Sequence, residues 1–235
     1  MTEPALSVAF FDPARQVHVL ARSGATLLFE GSKSQVLDDP AQLEPEGEGW
    51  SAGVAGRFEV RLEAVSEPVE LAGTRVRVCA VTGEVAGTPV DGLGTVSETL
   101  RPPAWDDLDA LRAVSILGDR GHAVLAVARR PRGSEGHGHE LVTAALLSEG
   151  RLMLVEDARL STVYDGEGRQ RTASLELWLP GEDFPRRATG TVAAGSSLEL
   201  EGLDVHAAVF RWRLEGQDAF GQYELAVRAP APGAA

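Results

Sequence analysis

One strand motif occurs twice in this chain, once in each half. In the first half, Phe58-Glu59-Val60-Arg61-Leu62 leads to Glu67-Pro68 and later to Gly92-Leu93-Gly94-Thr95-Val96-Ser97-Glu98. In the second, Leu175-Glu176-Leu177-Trp178-Leu179 leads to Phe184-Pro185 and later to Phe220-Gly221-Gln222-Tyr223-Glu224-Leu225. The separation from Phe58 to Pro68 equals that from Leu175 to Pro185, whereas the later spacing differs. Alternation of apolar and polar residues with a period of two is the mark of a strand with one buried face. A chain that repeats such a unit folds as two similar β structures, and paired β units enclose space inside or between them. The copies are unequal, because the first lacks the Trp and Tyr of the second.

The rest of the chain obeys the same rhythm. Short β-rich runs at 5–11, 16–21, 26–30, 57–65 and 75–85 are separated by turn pairs such as Asp12-Pro13. Residues 38–49 are rich in Pro, Gly and acidic side chains, which predicts a loop. Arg101-Pro102-Pro103 interrupts strand pairing and is the boundary candidate. Beyond Trp105, residues 106–112 are predicted to form a helical turn or two. A meander then follows at 113–117, 123–129, 140–147, 151–164, 172–179, 187–192, 197–200, 205–214 and 222–228. Turns such as Asp165-Gly166 supply the positive φ that hairpins require. Short strands at this spacing, with no crossover helices, predict an all-β protein built from antiparallel barrels or sandwiches. The predicted units are 1–101 and 102–229, with a frayed tail at 230–235.

Composition narrows the function. The chain has 235 residues, enough for two small β units, and 43% of them are hydrophobic, as in an ordinary packed protein. A net charge of −13 argues against binding nucleic acid or docking on anionic membranes. No apolar run reaches the roughly 20 residues of a bilayer span, so no membrane insertion is expected. Met1-Thr2-Glu3-Pro4 shows no secretory pattern, and a cytoplasmic location is the expectation. Cys79 is the single cysteine, which excludes an internal disulfide or a cysteine zinc cluster and reads as a small core residue. The sequence allows a homodimer without specifying one.

Three clusters can carry chemistry. His137 and His139 would share one face of a strand and could begin a metal site, although Gly133, Gly136 and Gly138 describe an exposed loop equally well. Tyr164 beside Asp165 would form a proton-donating pair if buried, since burial raises a carboxyl pKa, whereas Asp165-Gly166 is also a hairpin signal. Glu176 and Trp178 face together, Trp212 opposes Arg211 and Arg213, and Tyr223 opposes Glu224. Arg211 or Arg213 could pair with Glu176 or Glu224 inside a barrel, or these could be outer cross-strand pairs. No nucleotide, phosphate-loop or hydrolase motif occurs, so no cofactor is expected.

The segments Trp105…Leu108…Leu111-Arg112…Ser115, Ala128-Arg129-Arg130-Pro131…Gly136…His139-Glu140, Ser161-Thr162…Tyr164-Asp165…Gly168, Leu175-Glu176-Leu177-Trp178 and Phe210…Trp212…Gly221-Gln222-Tyr223-Glu224 resemble the C-terminal domain of the AttH-like and carotenoid hydratase-like group. The resemblance covers residues 105–228, and the first half matches through its strand rhythm. It implies two tandem antiparallel lipocalin-like β-barrel units and a hydrophobic small-molecule ligand, isoprenoid, steroid or polyketide in type. It further implies cofactor-independent hydration, cyclisation or isomerisation, in which an acid polarises the substrate inside an aromatic pocket. On this basis Asp165 is the expected acid, with Tyr164 and His139 near it. Trp105, Arg112, Glu140, Glu176, Trp178, Trp212 and Tyr223 are the expected ligand-binding residues, and no metal is expected. The alternatives are a non-catalytic carrier of a hydrophobic ligand and a metal enzyme built on His137 and His139.

Overall fold

The structure is a computed structural model that describes residues 5–22, 24–134, 139–148 and 150–228. Strands dominate both halves. The first half contains β1 (Ala5–Asp12), β2 (Val17–Arg22), β3 (Ala25–Glu30), β4 (Lys33–Leu37), β5 (Gln42–Glu46), β6 (Gly49–Val54), β7 (Phe58–Ala64), β8 (Val69–Leu71), β9 (Thr74–Val85) and β10 (Thr88–Thr99). The second contains β11 (Leu108–Asp119), β12 (His122–Pro131), β13 (Leu141–Ser148), β14 (Arg151–Leu154), β15 (Asp157–Tyr164), β16 (Gln170–Trp178), β17 (Arg186–Leu200), β18 (Leu203–Leu214) and β19 (Gln217–Arg228).

The two sheets share no strand and repeat one topology. The first runs β4-β3-β2-β1-β10-β9-β7-β6-β5, with β8 attached to β9, and the second runs β14-β13-β12-β11-β19-β18-β17-β16-β15. Hence β1 matches β11, β10 matches β19, and β9 matches β18. The Gly92–Glu98 and Phe220–Leu225 motifs stand on matching strands. The other motif pair is displaced by one strand, since Phe58–Leu62 lies on β7, the partner of β17, and Leu175–Trp178 lies on β16. Both are amphipathic strands near a sheet edge, and alternation alone does not tell neighbours apart.

Tight hairpins lock these registers. Ala86-Gly87 joins β9 to β10 and Glu215-Gly216 joins β18 to β19, with φ of 48° and 79°, and of 49° and 87°. Positive φ at both central residues matches the twist of paired strands. In β7 the apolar residues Phe58, Val60 and Leu62 point inward and the charged ones between them outward. Three local expectations change. Residues 38–49 include strand β5, an edge strand carrying Pro45 where no further partner must be served. The predicted helix shrinks to a 3₁₀ turn at Trp105–Asp107, because Leu108 and Ala110 alternate inward with Asp109 and Leu111 on the other face. Residues 187–192 and 197–200 form one strand, β17, bulged between Val192 and Ala194.

Three apolar cores follow from this arrangement. One fills the first barrel around Phe10, Phe58, Leu62 and Cys79. Another fills the second around Leu175, Leu177, Phe210, Trp212 and Tyr223. The third lies between the units, where Phe11, Leu20, Leu27 and Phe29 meet Leu117, Leu125, Leu147 and Val209. Central strands therefore bury both faces, one inside a barrel and one at the joint. The bulged end of β17 also reaches the first unit, where Ser34 Oγ donates to the Gly195 carbonyl at 3.1 Å. Among the described residues no helix is long and apolar enough to cross a membrane.

Candidate functional site

Polar side chains gather at two places, one inside the second barrel and one at the joint. Inside the barrel, Arg112 on β11 is 1% exposed. Its Nη1 donates to the hydroxyls of Thr162 on β15 and Tyr223 on β19, each at 3.0 Å, and Nη2 donates to the Leu160 carbonyl at 3.3 Å. Nη2 also forms an ion pair with the buried carboxylate of Glu140, which enters just before β13. The Thr162 and Tyr223 hydroxyls are 2.6 Å apart. Burial pushes the Tyr223 phenol well above its ordinary pKa, against the opposing charge of Arg112, so it stays protonated. Tyr164 packs half-buried at the edge of the same core.

Aromatic rings continue downward from this cluster. Phe210 lies 5.4 Å from Tyr223 and 5.2 Å from Trp212, stacked on the latter. Trp212 fits because β17 offers Gly190 beneath it, where a Cβ would come 2.5 Å from the indole. The barrel is thus filled by its own side chains. Five of the ten expected site residues meet here: Arg112, Glu140, Tyr164, Trp212 and Tyr223.

The other five lie elsewhere. Asp165 sits in a partly exposed turn, where its carboxylate accepts the backbone N–H groups of Arg169 and Glu167, each at 2.9 Å, and Arg169 Nε at 3.2 Å. Those backbone bonds hold its carboxyl below the ordinary value, the direction opposite to that required of a proton donor at neutral pH. His139 is exposed and His137 falls outside the described residues. Trp105 is half-buried on the 3₁₀ turn. Glu176 and Trp178 face outward on β16, where Glu176 pairs with Arg187 at 3.0 Å and Trp178 lies under Arg159 at 4.8 Å. Among the described residues, no group of three His, Cys, Asp or Glu could hold a metal ion.

The second place is a cavity of about 200 Å³ between the units. Its floor is the joint-facing side of the β1–β10 pair, where Ser7 stands opposite Ser97, and Ala9 opposite Thr95. Thr99 and Thr74 extend this hydroxyl stripe, and Leu20, Leu27, Leu71 and Val76 flank it. The facing wall comes from β11, β12 and β19, with Ser115, Leu125, Gln222 and Glu224. Glu224 is the one carboxylate on the lining among the described residues, and Arg22 grips it through both oxygens at 2.8 and 3.1 Å, closing the gap between the units. A larger depression, of about 810 Å³, lies open on the outer face of the second sheet among Thr172, Thr189, Arg211 and Arg213.

Arg22, Ser7, Thr95 and Ser97 were not singled out from the sequence. The Thr95-Val96-Ser97 alternation marks a polar face, yet a polar face reads as solvated until a second unit is known to cover it. Glu224 does pair with an arginine, but with Arg22 from the other half rather than Arg211 or Arg213.

Solved structures share this arrangement. A protein described as an AttH from Nitrosomonas europaea superposes with a TM-score of 0.62 at 13% identity, covering 95% of this chain and 92% of that one. The chain has the two-unit fold of that AttH. Kievitone hydratase from Nectria haematococca gives a TM-score of 0.57 at 9% identity, covering 97% and 89%. CghA gives 0.61 at 11% identity, covering 96% and 88%. The likeness spans both units and therefore includes the joint. No family model matches the sequence, and no curated protein matches it.

Proposed function

We propose that this chain is a cofactor-independent acid–base enzyme of hydratase, cyclase or isomerase type, working in the cavity between its two units. The observation that supports this most is Glu224, the single carboxylate on that lining among the described residues, oriented by a two-pronged bond to Arg22. Such a grip fixes the carboxylate where it can take a proton from a carbon beside a carbonyl, or from water. The charge then gained by a substrate oxygen meets hydroxyl donors at Ser7, Thr95 and Ser97, and the proton returns at another atom of the substrate. Leu20, Leu27, Leu71 and Leu125 support a substrate with an apolar face. The kinship of fold with a kievitone hydratase is in line with this reaction type.

In this assignment Arg112, Glu140 and Tyr223 position β11 and β19 from inside the barrel, and Asp165 serves its turn. The test is solvent-deuterium incorporation, followed by mass spectrometry over a panel of unsaturated and carbonyl compounds. Glu224→Gln should lower the rate at least a hundredfold with little change in melting temperature, and Asp165→Asn should leave it unchanged. The reverse pattern would place the chemistry at the barrel rim and end this assignment. A carrier without chemistry is the second reading, favoured by the fact that Arg22 already occupies both carboxylate oxygens. It predicts retention of a bound ligand and no deuterium uptake.

A further inference from the structure

The cavity between the units also specifies what it holds, on the premise that it is the substrate site. Its lining is divided by chemistry. The side chains of Ser7, Thr95, Ser97, Thr99 and Gln222 face it and make no hydrogen bond among the described residues. Thr95 is 5% exposed, so water reaches its hydroxyl only through the cavity. Thr95 is buried and Ser7, Ser97, Thr99 and Gln222 are half-buried, and such a row of unpaired polar groups along one wall offers donors and acceptors to an occupant. Around the stripe the lining is aliphatic. Volume sets the second limit. A cavity of about 200 Å³ falls below the roughly 300–1,000 Å³ of drug-sized pockets.

We infer that the occupant is a compact oxygenated molecule, a short chain or single ring bearing two or more hydroxyl or oxo groups along one edge. Those oxygens engage the stripe at Ser7, Thr95 and Ser97, and the apolar edge rests on Leu20, Leu27 and Leu125. A carotenoid or steroid skeleton offers the stripe no row of oxygens. Sites built to hydrogen-bond a substrate oxygen reject analogues that lack it far more strongly than apolar pockets reject an extra methylene.

Titration calorimetry of the full chain with cyclohexane-1,3-diol, cyclohexane-1,3-dione, cyclohexanol, retinol and cholesterol tests this. The diol or the dione should bind at least tenfold more tightly than cyclohexanol, and retinol and cholesterol should not bind. Thr95→Val and Ser97→Ala, both small changes at the cavity wall, should each weaken the diol about tenfold, equivalent to about 1.4 kcal/mol. Tighter binding of retinol or cholesterol, unchanged affinity in both variants, or no binding of either oxygenated ring overturns the inference. Glu224→Gln should keep most of the affinity. Binding of the diol without turnover of any oxygenated compound would therefore sink the enzyme assignment and leave the occupant's chemistry standing.

Discussion

His18 offers a pH test of how the two units are joined. Its ring lies on β2 at the joint, 5.7 Å from Phe11 and stacked on Phe220 of the other unit at 6.1 Å. It is 3% exposed, and Nδ1 has no hydrogen-bond partner among the described residues. Burial pushes its pKa down from 6.5 to about 4, with Asp12 opposing the shift and Arg211 adding to it. The folded protein thus keeps the ring neutral where the unfolded chain already binds a proton. Stability from this source is intact above pH 6.5, falls as the pH drops, and is fully lost below pH 4. Linkage between those two values gives a loss of about 1 kcal/mol at pH 5.5 and about 2–3 kcal/mol at pH 4.5. His18→Phe keeps ring contacts with Phe11 and Phe220 and removes the titration. Urea unfolding at pH 7.5 and pH 4.5 should show the wild type losing about 2–3 kcal/mol more than the variant over that interval. Parallel losses in the two proteins would refute the account of His18 as a buried neutral base.

Removing the guanidinium in Arg112→Ala should cost about 3–5 kcal/mol, because the Glu140 carboxylate would lose the cation it faces inside the barrel. Arg112→Met combined with Glu140→Gln should cost clearly less, and denaturant melts would separate the two. Gly190→Ala should destabilise by about 1–3 kcal/mol by forcing a methyl into the Trp212 ring, seen as a fall in melting temperature. Burial raises the Cys79 thiol to about 12, so an aromatic disulfide reagent at pH 8 should label it only after urea is added. Stoichiometric labelling of the native protein within seconds would contradict that.

The sequence carried the fold further than the site. Alternation in strands such as β7 and β9, and X-Gly turns such as Ala86-Gly87, are local signals, so the all-β class was legible residue by residue. Matching β7 to β16 failed because pairing order is set by the whole sheet. Arg112, Glu140 and Tyr223 stood out by residue type, but their meeting depends on strands more than 100 positions apart in sequence, as with the Arg112–Tyr223 bond. Asp165 was ambiguous in sequence because an Asp before Gly carries two opposite meanings, and its backbone donors appear only once the turn is closed. Arg22 was invisible as a partner for Glu224, from which it is separated by 202 positions.

Strand β19 carries the reason for proposing the joint, rather than either barrel, as the site. Its residues alternate between two buried environments, with Tyr223 and Leu225 inside the barrel and Gln222 and Glu224 on the joint-facing cavity wall. The inward residues are committed: Tyr223 is clamped by Arg112 and Thr162, with Phe210 and Trp212 filling the space below. A filled barrel cannot admit a ligand without losing several kcal/mol of packing, but it makes a rigid mount. Every bond that fixes Tyr223 also fixes the height and direction of Glu224 one residue on, because neighbouring side chains on a strand point to opposite faces. The first unit then supplies what the second lacks, Arg22 to orient the carboxylate and a hydroxyl stripe opposite it. Two barrels of one topology thus meet through unlike outer faces, and their contact is a lined cavity with one carboxylate among the described residues.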